Sequence, residues 1–357
     1  MIMKKLNYNL WHLCLTLPCM LLTTGCEKDI ESNEPVELQI APTVAITRSV
    51  IEGGEQTANK NTIMQNVAVY AAGDDYTKAK SNNHAIYLLS SGSWSSTGSD
   101  LIYLTNKTAT IYAYYPAYKS DGTTFQPISE DDVTANSTIP ISVLESSAAI
   151  TVADNATGNA IAAADGEIDY MYATSTTASN QNASKSITLT MKHALSMVSF
   201  RVYKSSDYHG TGDLTQIVLK NTNGSSVLSK GSTSTTMNVT TGAITQNTAT
   251  AATYTRTITT GTYTLGTAES EAKKLSILVL PITDSAIQDG KIEAVFTIDG
   301  ATYTAAIKAP TEADAEGKWK PGNNNLYTVK LSGTKLEVTK VEVTAWSEVT
   351  GGNLDIQ

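Results

Sequence analysis

Beyond residue 26 the chain has no cysteine: its three stand at Cys14, Cys19 and Cys26. That excludes a disulfide framework or a thiolate metal site in the body of the protein, so a chain of this kind outside the cell is held by its apolar core. Arginine is nearly as scarce. Arg48, Arg201 and Arg256 are the whole set, against 22 lysines (25 less 3). Charged residues make up 17% of the chain, and most of the remaining polarity comes from Ser, Thr, Asn and Gly, a surface suited to extended β proteins outside the cell.

Catalytic signatures are missing as well. No GxSxG, HExxH, CxxC or GxxxxGK[ST] occurs, which removes the common hydrolase, zinc and P-loop readings. The sequence therefore reads as a non-enzyme, without catalytic residues, metal or cofactor. His84, His193 and His209 have no partner at ligand spacing, and His193, at the head of a strand, is expected to be structural. The acids of ADGEID (164–169) lack the alternating spacing of a calcium loop and read as a solvated loop. Trp94, Trp319 and Trp346 stand too far apart in sequence to suggest a sugar-stacking platform. Nucleic acid is excluded by charge. Removing Lys4 and Lys5 from 25 basic residues leaves 23 against 34 acidic ones, a balance of −11, with no basic cluster to neutralise phosphates.

What the chain does have is period-2 alternation. Strands are predicted at 66–72, 109–117, 186–191, 195–204, 214–220, 274–282 and 327–333. The run 292–307 reads as a hairpin whose Asp299-Gly300 pair supplies the positive φ angles of a two-residue turn. Helix is limited to short candidates near 267–274 and 311–316. The stretch ATSTTASNQNASKS (173–186) has no large apolar side chain and reads as a linker. The fold class is therefore all-β, as two tandem β-sandwiches with little helix, at 49–175 and 176–334.

The two ends carry the functional signal. Lys4 and Lys5 precede the apolar run LWHLCLTLPCMLL (10–22), and TTGC follows, so residues 1–25 read as a lipoprotein signal peptide and Cys26 as the lipidated residue. Glu27, Lys28 and Asp29 resemble the short charged export signals of Bacteroidetes surface lipoproteins. Between this anchor and Arg48, residues Val36, Leu38, Ile40, Pro42, Val44 and Ile46 share one phase. They predict a strand with an apolar face, in a lipidated propeptide of residues 26–48. Cutting between Arg48 and Ser49 would remove that strand and leave an apolar groove.

At the other end, KLEVTKVEVTAWSEVTGGNLDIQ (335–357) carries Leu336 and Val338 in one phase and Val341, Val343 and Ala345 in the other, so a bulge near Thr339-Lys340 is expected. As a tail that follows a finished domain, it is predicted to be a donor strand that fills a neighbour's groove.

Taken in order, the lipobox, Arg48, IYAYYP (111–116), MKHALSMVSFRVY (191–203), WKPGNNNLYTVKL (319–331) and VEVTAW (341–346) resemble the fimbrillins, the type V pilins of Bacteroidales. The resemblance implies two transthyretin-like β-sandwiches, surface export as a lipoprotein, and cleavage after arginine by an arginine-specific surface protease. It also implies assembly by strand exchange. The partners implied are copies of itself and other fimbrial subunits, the outer membrane through the lipid before cleavage, and a host or bacterial surface receptor. On this reading the chain is a stalk subunit of a fimbria. A tip or anchor subunit, or a monomeric glycan-binding lipoprotein, are the alternatives. Asp284-Ser285-Ala286 also resembles the three-residue sites that Bacteroidetes O-glycosylate, with Ser285 as the acceptor.

Overall fold

The computed structural model describes residues 35–44, 64, 66–73, 83–96, 101–117, 134–145, 148–151, 161–162, 166–181, 186–260, 263–272 and 274–345. Among these the chain is all-β. In the first half lie β1 (Val36–Glu37), β2 (Gln39–Val44), β3 (Asn66–Ala72), β4 (His84–Ser90), β5 (Ser93–Ser96), β6 (Tyr103–Leu104) and β7 (Ala109–Tyr115). Three short strands follow, β8 (Thr138–Pro140), β9 (Ala148–Thr151) and β10 (Ile161–Ala162), and then β11 (Met171–Ala178) and β12 (Ser186–His193). The second half holds β13 (Ser196–Lys204), β14 (Asp213–Asn221), β15 (Thr236–Asn238), β16 (Ile244–Thr245), β17 (Thr253–Thr260) and β18 (Tyr263–Thr264). It ends with β19 (Lys274–Val279), β20 (Ile292–Ile298), β21 (Ala301–Ala306), β22 (Asn323–Ser332) and β23 (Lys335–Ala345).

The first half builds one seven-stranded sheet in the order β2-β12-β11-β7-β3-β4-β5, with β1 and β6 as a separate pair. This large sheet is covered on both faces. Val67, Val69, Ile111 and Tyr115 enter one apolar cluster with Leu38 and Leu104, whereas Ala68, Tyr70 and Tyr114 enter another with Ile139, Leu195 and Met237. A strand buried on both faces cannot alternate with polar residues, which is why β3 reads NVAVYAA.

The second half is a sandwich. Sheets β21-β20-β14-β17-β9 and β10-β19-β13-β22-β23 enclose Phe200, Tyr254, Phe296, Trp319 and Tyr327. Phe200 meets Phe296 edge-on, with ring centroids 5.4 Å apart, a favoured aromatic geometry. The predicted hairpin is β20–β21, with Asp299 at φ 49° and Gly300 at φ 78°. Of the two helix candidates, the first is a 3-10 turn at Glu269–Glu271 and the second, 311–316, is a set of turns.

The predicted domain division is corrected in two ways. The boundary at 175/176 falls inside β11, and β12 lies between β2 and β11 in the first sheet. The predicted linker therefore begins with the greater part of β11 (173–178) and ends at the first residue of β12. Its inward side chains, Ala173 and Ala178, are small but fully buried, and a bulge between Ala173 and Thr176 brings both to the same face. In addition, β8, β9 and β10 leave the first half to pair with β15, β17 and β19. Each sheet of the second sandwich therefore has one edge supplied by residues from before position 163. The two bodies also touch closely: a Cβ on Gly242 would collide with the Tyr172 ring of β11.

Candidate functional site

Residues 35–44 occupy the edge of the first body. β2 runs parallel to β12, from Gln39 against Ser186 to Val44 against Met191, and β1 pairs with β6, Val36 against Leu104. The segment changes sheets at Leu38. There the backbone N–H donates to the Ile102 carbonyl at 2.8 Å, and the carbonyl accepts from the Tyr87 hydroxyl at 2.8 Å. Glu37 accepts from the Ser96 hydroxyl at 3.0 Å. Burial, reinforced by the Glu37 carboxylate, raises the Tyr87 phenol well above its ordinary value, so it serves here as a neutral donor.

The apolar phase read from the sequence points inward: Leu38 is 0% and Ile40 5% exposed, and both belong to the core of the first body. Pro42 is half-buried and Gln39 is exposed. A segment with so little chain of its own thus fills a slot walled by β12, β6 and Tyr87. Without it, β12 becomes an edge with an unpaired row of backbone groups beside exposed core, a template for another strand. Cys26, Arg48, Ser49 and Ile46 lie outside the described residues.

The other two arginines are held in strands. Arg256, on β17, is 1% exposed. It pairs with Glu167, both side chains being fully buried, and also donates to the Leu144 carbonyl at 2.8 Å. Arg201, on β13, contacts Glu269 at 2.6 Å and Glu342 at 3.6 Å. A protease that must draw extended chain into its cleft has no purchase on either.

The predicted donor tail is corrected in part. Lys335–Ala345 is β23, which pairs antiparallel with β22 and forms an edge of its own sandwich. The bulge is where the pattern puts it: Val338 pairs with Val329 and Lys340 with Thr328, leaving Thr339 as the extra residue. The bulge moves the strand from one phase to the other, so that Leu336, Val338, Val341 and Val343 all lie opposite inward positions of β22, namely Leu331, Val329, Tyr327 and Asn325. Leu336 and Val338 are 6% and 4% exposed in that core. The apolar character ascribed to a neighbour's groove thus also serves the tail's own domain. Ala345 ends the strand, and residues 346–357 lie outside the described residues.

Residues 47–346 match the fimbrillin-like family. The chain belongs to the fimbrillin-like family. No curated protein matches it in sequence. Among solved structures it is similar to a candidate cell adhesion protein of Bacteroides uniformis, at 17% identity and a TM-score of 0.54, over 88% of this chain and 99% of that one. A candidate cell adhesion protein of Bacteroides ovatus gives 18% and 0.54 over 88% and 98%, and a fimbrial protein of Bacteroides vulgatus gives 14% and 0.51 over 88% and 100%. At these identities the likeness is one of fold.

Other residues singled out by sequence fall as follows. Asp284, Ser285 and Ala286 are exposed between β19 and β20, open to a modifying enzyme. In the stretch read as a solvated acidic loop, two acids are instead buried. Besides Glu167, Asp169 sits 2.8 Å from His193 with no exposure, and burial raises its carboxyl despite the histidine. Sequence reasoning missed both pairs. The only available signal was that Arg256, one of three arginines, sits at a strand position where an apolar residue is expected.

Proposed function

We propose that the chain is a stalk subunit of a cell-surface fimbria, exported as a lipoprotein on Cys26, trimmed between Arg48 and Ser49, and polymerised by strand exchange. The observation that carries this reading is the position of Leu38 and Ile40. They are core residues of the first body, yet they belong to a segment that precedes Arg48 and is held by the pairing of β2 with β12, the two-residue pair β1–β6 and the hydrogen bonds of Leu38. Trimming would convert a closed core into a groove that only another strand can refill. In this account the refill comes from the C-terminal segment of a neighbouring subunit, so that the partners are copies of the chain and other fimbrial subunits. An arginine-specific surface protease triggers the exchange, the outer membrane holds the precursor, and a surface receptor is the target of the finished fibre. The test is the N-terminal residue of protein recovered from the cell surface. Ser49 is expected; an N-terminus at a lipidated Cys26 would overturn the processing step.

A second reading is favoured by the self-pairing of β23. A tail already seated in its own sandwich suits a monomeric surface lipoprotein that binds glycans. It predicts that trimmed protein stays monomeric at any concentration.

A further inference from the structure

We propose that β23 is two strands in function, fixed up to Val338 and releasable from Lys340 onward, with Thr339 as hinge and Arg201 and Glu312 as the latch. The proposal rests on the strand-exchange reading, and names which part of the tail moves and what holds it beforehand.

The two sides of the bulge are secured by different physics. Before it, Leu336 and Val338 are buried in the core between the sheets, and the Lys308 ammonium donates to the Val338 carbonyl at 3.2 Å. After it, Val341 and Val343 are half-buried and Thr344 is exposed. Val341 still packs on the edge of that core, but charge adds to the weaker burial there. Glu342 lies 3.6 Å from Arg201 of β13, which is itself held by Glu269 at 2.6 Å, while the Lys340–Glu342 pair at 2.8 Å is internal to the segment. The Val343 N–H donates to the Glu312 carboxylate at 2.9 Å, so this N–H is taken by a side chain rather than by a further strand. The other Glu312 oxygen is buried without a partner, which leaves the cap only half-satisfied.

A bulge removes one rung of the ladder and lets the strand bend. Opening from Lys340 breaks the ladder to 323–328, the half-buried packing of Val341, the Val343–Glu312 hydrogen bond and one partly exposed ion pair, Arg201–Glu342, which is individually weak, and leaves Leu336 and Val338 in the core. Opening from Lys335 would strip Leu336 and Val338 from it. The first is the local event of low free energy, the second approaches global unfolding.

Hydrogen exchange on the purified, untrimmed monomer tests this. Amides of 340–345 are expected to exchange much faster than those of 335–338 in the wild type. In the R201M/E312A double variant they are expected to speed up by about tenfold more, with 335–338 changing less than about twofold. The single variant E312A, which leaves the Arg201 network intact, should give the same pattern at smaller amplitude. Uniform protection across 335–345, or loss of both halves together in either variant, would overturn the hinge. Because no assembly is involved, a tail that opens as described but never polymerises would sink the fimbrial reading and leave the hinge standing.

Discussion

The carbonyl of Leu38 accepts a hydrogen bond from the Tyr87 hydroxyl at 2.8 Å, which ties a residue upstream of Arg48 to the centre of the first body. Replacing Leu38 with Ala in the untrimmed protein removes a fully buried side chain and is expected to cost about 2–5 kcal/mol. In protein lacking residues 1–48 Leu38 itself is gone. Tyr87→Phe separates the states directly: it should cost about 1 kcal/mol before trimming and close to nothing after. Chemical denaturation of both forms checks it. Equal costs in the two forms would mean that Tyr87 serves the fold by other contacts.

Glu167 and Arg256 join the 166–170 segment to β17, and the Leu278 N–H also donates to Glu167 at 3.0 Å. Removing one partner of such a pair strands a buried charge, so Glu167→Gln and Arg256→Met are each expected to lose about 3–5 kcal/mol. The double variant should lose less than the sum of the two. Additive losses in a double-mutant cycle would show that the residues act separately.

Asp299 accepts from the Tyr208 hydroxyl at 2.7 Å and from the Gly212 and Asp213 N–H groups at 2.8 Å each, which lowers its pKa. A carboxylate with a lowered folded-state pKa adds stability above its unfolded value, and that stability is lost as pH falls through the folded value. Asp299→Asn tolerates the same left-handed turn without titrating. The melting temperature of the wild type should therefore exceed that of the variant at neutral pH, and the gap should close below about pH 4. A gap independent of pH would assign the effect to shape instead of charge.

Ser285 is exposed beside Asp284 and Ala286. Intact mass of protein from the native cell is expected to exceed the polypeptide mass by one glycan, and Ser285→Ala should remove the increment. An unmodified wild-type mass would end the glycosylation reading.

Strands were legible wherever one face or both had to be apolar. The run 66–72 is β3 as read, the Asp299-Gly300 turn closes the predicted hairpin, and the phase change in the tail marks a real bulge at Thr339. The alternation around Leu38 and Ile40 likewise located the buried segment. What stayed hidden was non-local. Backbone pairing does not require large side chains, so β11 looked like a linker although Ala173 and Ala178 are core residues. Nothing local to β9 or β10 says that they pair with β17 and β19, more than 100 residues on. Nor does an apolar tail reveal whose core it enters; only the register of β23 against β22 shows that Leu336 and Val338 fill their own.

That register also decides where the tail can be cut without unfolding the domain. Deleting 335–357 would open the second core, whereas deleting 340–357 keeps Leu336 and Val338 in place. Purified protein trimmed to Ser49 is incubated and resolved by size in mild detergent, as wild type, as the 340–357 deletion and as Val343→Asp. A ladder of oligomers is expected for the wild type. Both variants should be folded monomers, since one lacks the donor strand and the other would carry an unpaired carboxylate into an apolar groove. Polymerisation of the deletion variant, or a wild type that remains monomeric after trimming, would contradict assembly by strand exchange.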